Sequence, residues 1–381
     1  MALSPKTRQA RRAILAIIGS GVLLLAGCQT NAPMRPAGPN PVGPNDGPDA
    51  PRHRVAIIIP LSGQDAGVGT SIANAASLAL MDSGDRTIRL LTYDSASGAA
   101  AAAERAIGEG AELILGPLLA EDVRAVTPVA RRSNVPVVAF SNDASVAGGG
   151  IYIMGATPGQ AIDRVIRYSR SKGATRFGAL VPTGLYGQRA AQAMLGSVRS
   201  SGGSITGLQT FNRSVAAVRS AAQILSNKGE MDAVLIADSG KMAAIAGSAL
   251  RPGARLMGTE LWAGDRTLGQ TARLRGALFA AAPDARFTQL VGRYKARYGK
   301  TPYRLGSLGY DAMLLTVRSA RSWPVGRPFP MRSLADRDGF AGVDGIFRFG
   351  RDGVAERSLE VRQVTATGAI TVSPAATSFA K

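Results

Sequence analysis

The 381 residues carry a formal net charge of +19, with one histidine, one cysteine, 45% apolar residues and only 5% aromatic ones. A lone His and a lone Cys exclude a Ser-His-Asp or Cys-His triad, a His- or Cys-based metal site and a disulfide, so no enzyme, metal or cofactor is expected. The charge comes almost wholly from arginines scattered along the chain, with no basic run beside aromatics, which predicts a generally basic surface and no nucleic-acid partner.

In chain order, Lys6, Arg8, Arg11 and Arg12 precede an apolar run over residues 13–25. A membrane-spanning helix needs about 20 apolar residues, so residues 1–27 are expected to be an export signal. Residues 28–54, rich in Pro and Gly, predict an extended tether that includes His53. The rest exceeds what one core usually spans, so two lobes are expected. Continuous apolar strands over 55–60, 87–93, 112–115 and 135–140 alternate with helical patterns over 71–81, 99–108 and 121–132. A second alternation follows, with strands over 176–181, 204–211, 233–237 and 255–258 and helices over 161–171, 188–200, 216–227 and 242–250. Helices over 287–298 and 307–322 come next. Strands over 345–349, 359–364 and 369–372 close the chain, the first two joined by Arg351-Asp352-Gly353.

This alternation predicts an α/β fold of two doubly wound lobes with parallel sheets. Ligands bind beyond the carboxyl ends of such strands. There the first lobe offers Ser62, Gly116, Leu118, Ser141 and Asn142, and the second offers Tyr186, Asp238 and Glu260. These eight are the candidate ligand-binding residues. Gly67-Val68-Gly69 opening a helix is a faint dinucleotide fingerprint that lacks its third glycine. Ser169-Arg170-Ser171-Lys172 matches S-x-x-K without the partner motifs of that chemistry, so Lys172 is expected to end a helix. Asp238 and Glu260 form no glycosidase-like pair and are expected to meet a ligand. Trp262 is placed either against a ligand or in the core.

Leu25-Ala26-Gly27-Cys28 resembles the bacterial lipobox, which implies lipidation at Cys28, and Gln29 implies sorting to the outer membrane. The segments VAIIIPLSGQDAGVGTSIANAASLAL, LLTYDS, AELILGPLLAEDVRAVTPVARRSNVPVVAFSND, IYIMGATPGQ, VPTGLYGQRAAQAM and GYDAMLLTVRSA follow one another in order. Together they resemble the type I periplasmic-binding-protein fold in its leucine/isoleucine/valine-binding branch. That fold implies three crossings between lobes, expected near Ala156, Gly276 and Gly326. Lobe one is then 55–155 plus 277–325, and lobe two 156–276 plus 326–381. In amino-acid binders of this family, hydroxyls and amides after the third strand hold the ligand carboxylate. A hydroxyl after the fourth strand and an acid of the second lobe hold the ammonium. Ala120 stands where the family has serine, so that grip is only partly present. GPLLAEDV, the Phe140-Ser141-Asn142 turn and the lipobox together resemble the penicillin-binding-protein activator lipoproteins. That resemblance implies a non-enzymatic lipoprotein of the periplasm, anchored through its lipid and acting on a cell-wall synthase. The alternative is the solute-binding component of an ABC importer for amino acids or related small molecules.

Overall fold

The computed structural model describes residues 51–379; the export signal, Cys28 and most of the tether lie outside them. Strands of Val, Ile and Leu buried on both faces need helices on both faces, and the first lobe supplies them in turn. It runs β1 (His53–Ile59), α1 (Ala66–Ser83), β2 (Ile88–Asp94), α2 (Ala99–Gly108), β3 (Leu113–Leu115), α3 (Ala120–Arg132), β4 (Val137–Ala139) and β5 (Ile151–Ile153). These strands form a parallel sheet in the order β2-β1-β3-β4-β5. Side chains alternate across β1 with period two. Val55, Ile57 and Ile59 pack with Ile72 and Ala76 of α1, whereas Ala56 and Ile58 pack with Ala102 of α2 and Val123 of α3.

The second lobe begins with α4 (Pro158–Ser171), β6 (Arg176–Pro182), α5 (Leu185–Ser200), β7 (Ser204–Phe211), α6 (Val215–Ser226), β8 (Ala233–Ile236), α7 (Gly240–Ala249), β9 (Arg255–Gly258) and β10 (Leu278–Ala281). The chain then adds α8 (Ala285–Tyr298), α9 (Gly306–Ala320), β11 (Phe340–Gly342), β12 (Gly345–Phe349), β13 (Ala355–Arg357), β14 (Glu360–Thr365) and β15 (Gly368–Ser373). The second sheet has the order β15-β14-β10-β9-β8-β6-β7, with β14 and β15 antiparallel to the rest of it or to each other. β11, β12 and β13 form a small antiparallel sheet of their own. Its Phe340, Phe347 and Phe349 join the first lobe's core beside Leu308 and Met313 of α9. The α/β class with two parallel sheets is as the sequence predicts.

Four expectations need correction. His53 is the first residue of β1, not part of the tether: it is 1% exposed. Its ring stacks on Trp323 with centroids 3.7 Å apart, and Nε2 donates to the Trp323 carbonyl at 2.8 Å. A strand at 278–281, absent from the sequence reading, pairs with β9 and β14, so the second crossing follows β10 and not Gly276. The third crossing follows Arg357 and not Gly326, because β11 to β13 bury their aromatic face in the first lobe. The turn at residues 351–353 joins β12 to β13, whereas residues 360–365 lie in the other lobe's sheet. β10 and β13 are short and carry no periodic signature, which is why pattern alone passes over them.

Asp311 of α9 fastens the small sheet. It accepts from the amides of Val343 at 2.6 Å and Asp344 at 3.4 Å. Burial, reinforced by the Asp344 charge, pushes its carboxyl up to about 7. An unfolded Asp titrates near 3.9, so between about pH 4 and pH 7 the folded state holds the extra proton. The stabilisation is complete below about pH 4 and is lost as pH rises through 7. The slope is at most ~1.4 kcal/mol per pH unit in that window. Melting wild type and Asp311→Asn from pH 4.5 to 7.5 checks this. Wild type loses Tm steadily, and the variant loses the Asp311 part of that slope while keeping what Glu260 and Asp122, both also raised by burial, contribute.

Candidate ligand-binding cleft

The turns after β1, β3 and β4 form the first lobe's rim. Ser62 Oγ donates to Asp94 at 2.7 Å and the Leu61 amide to the same carboxylate at 2.8 Å. The Leu61 amide, with Ser62, holds the Asp94 carboxyl below the usual range. Ser62 is thereby committed to its own lobe. Gly116 has φ 89°, and a Cβ there would lie 2.2 Å from the Ile58 carbonyl oxygen, so only glycine fits. Leu118 and Asn142 line a cavity of about 270 Å³ between the lobes. Ser141 is buried, and its Oγ accepts from the Asp143 amide at 3.1 Å.

The centre of this rim is Asp143, 1% exposed. Its carboxylate accepts from the Ser145 amide at 2.8 Å, from Ser145 Oγ at 2.6 Å and from Arg124 at 2.8 Å. Arg189 of α5 reaches across from the second lobe to the same carboxylate at 2.5 Å. Burial works to raise this carboxyl, but Ser145 and Arg189 outweigh it and bring it down to about 2. An ion pair with both carboxylate oxygens engaged therefore spans the two rims.

In the second lobe, Tyr186 lies at the start of α5, one turn before Arg189. Its hydroxyl bonds Thr259 Oγ1 at 2.9 Å and donates to Glu260 Oε1 at 3.2 Å. Burial, then the Glu260 charge, raises the Tyr186 hydroxyl far above its ordinary value. Asp238 is turned away from the gap: it accepts from Arg213 Nε at 2.8 Å and from the Ser239 amide at 2.7 Å, and it lines neither interlobe cavity. Trp262 is core, wholly buried, with Nε1 donating to the Asp238 carbonyl at 2.9 Å. Lys172 is the residue on which α4 ends.

Glu260 lines a second interlobe cavity of about 330 Å³. Its walls are mostly apolar: Ala161, Ala281, Leu305, Leu308 and Leu359. Three charged groups of the first lobe and the hinge share it, namely Arg304, Asp344 and Arg357. Arg304 is paired with Asp344, which also accepts from Ser307 Oγ at 2.7 Å. Glu260 Oε2 is buried and has no hydrogen-bond partner among the described residues, and burial raises the Glu260 carboxyl. A buried acid with one free oxygen at an apolar wall is a place for a donor to arrive. Residues Asp143, Arg189, Arg304 and Arg357 were not among the candidates. Arg189 had a legible signal, three residues after Tyr186 and so on the same helix face; Arg357 had none.

A larger cavity of about 480 Å³ lies at the amino-terminal edge of the second sheet, far from these turns. Arg176 there pairs with Glu230 and Asp232, and Arg251 bonds Asn227.

Known proteins share this fold. The family described as periplasmic binding protein matches residues 53–369. The fold is similar to that of the leucine-binding protein LivK of Thermotoga maritima, at 22% identity and TM-score 0.62, covering 84% of this chain and 97% of that one. It is similar to a Rhodopseudomonas palustris ABC-transporter solute-binding protein in complex with 3,4-dihydroxybenzoic acid, at 19% identity and TM-score 0.64, covering 86% and 97%. It is also similar to the Streptococcus pneumoniae branched-chain amino acid binder LivJ in complex with isoleucine, at 18% identity and TM-score 0.62, covering 85% and 100%. Among curated sequences, an uncharacterized protein of Rickettsia prowazekii is 25% identical over 179 residues, and the chain spans about half of it, 48%.

Proposed function

The chain belongs to the periplasmic binding protein family, and from that premise we propose that it is a solute-binding protein that presents a small, largely apolar molecule to an ABC importer outside the cytoplasm. The observation that carries this reading is the free Oε2 of Glu260 at the wall of an apolar interlobe cavity. An acid of the second lobe that meets a ligand's ammonium is what the family resemblance implies, and Glu260 stands ready for it. Tyr186 orients that carboxyl, and Leu305 and Leu308 receive the apolar body. The reading involves binding and lobe movement, with no bond made or broken. A lipid anchor at Cys28 belongs to the proposal as well.

A second reading has its own observation. The rim donors that would grip a carboxylate are spent on Asp143, which ties the lobes together without any solute. That favours a protein whose closed form is itself the signal, as for a regulator of a penicillin-binding protein or other cell-wall synthase.

Thermal melts of the purified protein with amino acids, short-chain and aromatic carboxylates and peptidoglycan fragments separate the two. A solute at a hundred times its Kd adds about 2.7 kcal/mol, several degrees of Tm. A shift with a small solute, abolished by Glu260→Gln, supports the transport reading. Flat melts across the panel sink it and leave the regulator.

A further inference from the structure

Parallel strands begin at one edge of a sheet, so the second sheet has an outer pole as well as a cleft edge. At that pole β6, β8 and β9 start side by side, Phe177 beside Ala233 and Ala233 beside Arg255. The turns that meet there, residues 169–176, 199–206, 226–233, 249–255 and 272–277, carry no acid except Glu230 and Asp232. Both are spent on Arg176, at 3.0 and 2.9 Å. Asp232 also accepts from the Thr175 and Arg176 amides, each at 2.8 Å. Lys172, Arg199, Lys228 and Arg255 are exposed, and their side chains have no ion pair or hydrogen bond among the described residues. Arg251 bonds only the neutral Asn227, at 2.8 Å.

The first lobe is built the same way and serves as a comparison within the molecule. Asp85, Glu109 and Glu112 stand on the turns before its β2 and β3, and His53 meets Glu112 at 3.4 Å. An arginine-rich composition that merely coated the surface would treat both poles alike. So would the preference of cations for helix carboxyl ends, since helices end at both poles.

The basic pole is also concave. The cavity of about 480 Å³ adjoins one of about 300 Å³, and Asp232 and Gly253 border both. Met231, Val234, Leu250 and Ala254 give the larger one an apolar floor beside Arg251. Lys172 and Arg255 border the smaller one. An apolar pocket with cations along a groove fits an extended acidic chain that carries an apolar side chain. A flat lipid surface cannot enter it. The described chain also joins the fold at His53, on the amino-terminal edge of the first sheet, at the opposite end of the two-lobed body.

We propose that the outer pole of the second lobe is a docking groove for an acidic peptide segment of a partner protein. One apolar side chain of that segment fills the pocket over Met231 and Leu250, and its carboxylates meet Arg251, Arg255 and Lys172. The groove is separate from the cleft and holds whether the molecule carries a solute or acts on a synthase.

Fluorescence anisotropy on the purified protein tests this with a labelled nonapeptide of glutamates around one central leucine. The peptide is expected to bind. Glycine in place of its leucine should weaken binding by at least about tenfold, the worth of one buried leucine side chain. Arg251→Glu, Arg255→Glu and Lys172→Glu should each weaken it by about three- to tenfold, and added salt should weaken it too. Arg86→Glu, at the first lobe's pole, should leave it unchanged. All four side chains are exposed, and a thermal melt of each variant shows that the fold is kept. Equal affinity for the leucine and glycine peptides, an equal loss in Arg86→Glu, or no peptide binding overturns the proposal. Phosphatidylglycerol vesicles that bind where the peptide does not, and are released by the same three variants, would give the pole to a lipid surface instead.

Discussion

Gly187→Ala is expected to cost about 3 kcal/mol or more, at the upper end for an overpacked site. In each lobe one helix, α1 after β1 and α5 after β6, meets the end of the preceding strand through a glycine. A Cβ on Gly187 of α5 would lie 1.6 Å from the Pro182 carbonyl oxygen, and one on Gly69 of α1 would lie 1.7 Å from the Pro60 carbonyl oxygen. Both obstacles are backbone, at the ends of central strands, so neither can swing aside. The helix itself must shift. For α5 that shift carries Tyr186 and Arg189 with it, so damage to stability and to the cleft arrive together. Gly196, further along α5, has nothing within 4 Å of its would-be Cβ. Gly196→Ala is therefore expected to be neutral or to stabilise by about 0.5–1 kcal/mol, the ordinary helix preference of alanine. Urea midpoints of the two variants, measured side by side, check the contrast. Equal midpoints would mean that the strand–helix junction yields more readily than its geometry allows.

That junction also shows what the sequence can and cannot disclose. The run Val55-Ala56-Ile57-Ile58-Ile59-Pro60 announces a strand buried on both faces, and α2 and β7 fall where their patterns place them, because those signals are local. Gly69 falls within the faint nucleotide fingerprint. Its reason is instead the Pro60 carbonyl, nine residues away in sequence and in contact in space. The cleft follows the same division. Its turns were legible, since apolar strands end at them, and Leu118, Asn142, Tyr186 and Glu260 do line the interlobe cavities. Ser62 and Asp238 stand on the right turns but point their polar atoms at Asp94 and Arg213. Which neighbour a side chain on a turn selects depends on the other turns packed beside it, and no pattern within one strand–turn–helix unit encodes that. Asp143 and Arg357 are extreme cases. Each acquires its role only when segments far apart in the chain are brought face to face.

Asp143→Ala is expected to open the cleft and to cost about 2–4 kcal/mol, since removing one partner of a buried ion pair leaves the other uncompensated. The lower part of that range applies because Arg189 and Arg124 keep 25% and 54% of their side-chain surface exposed and can turn to water. The two arginines separate the effects. Arg124 belongs to the same lobe as Asp143, so Arg124→Ala should lower stability slightly and leave the lobes together. Arg189 belongs to the other lobe, so Arg189→Ala should raise the radius of gyration in solution X-ray scattering as Asp143→Ala does. The double variant should add little to either, the sign of a coupled pair. The pH dependence has the opposite sense to that of Asp311. A carboxyl lowered to about 2 contributes its stabilisation in full above the unfolded value near 4 and loses it as pH falls through 2. The radius should therefore be constant from pH 5 to 8 and rise only in strong acid. For binding, a latch that favours the closed form supplies in advance part of what a solute must otherwise provide, so Arg189→Ala should weaken a solute held between the lobes by about tenfold. A variant with an open cleft and undiminished affinity would place closure outside the binding step, and would favour the reading in which the closed form itself is the output.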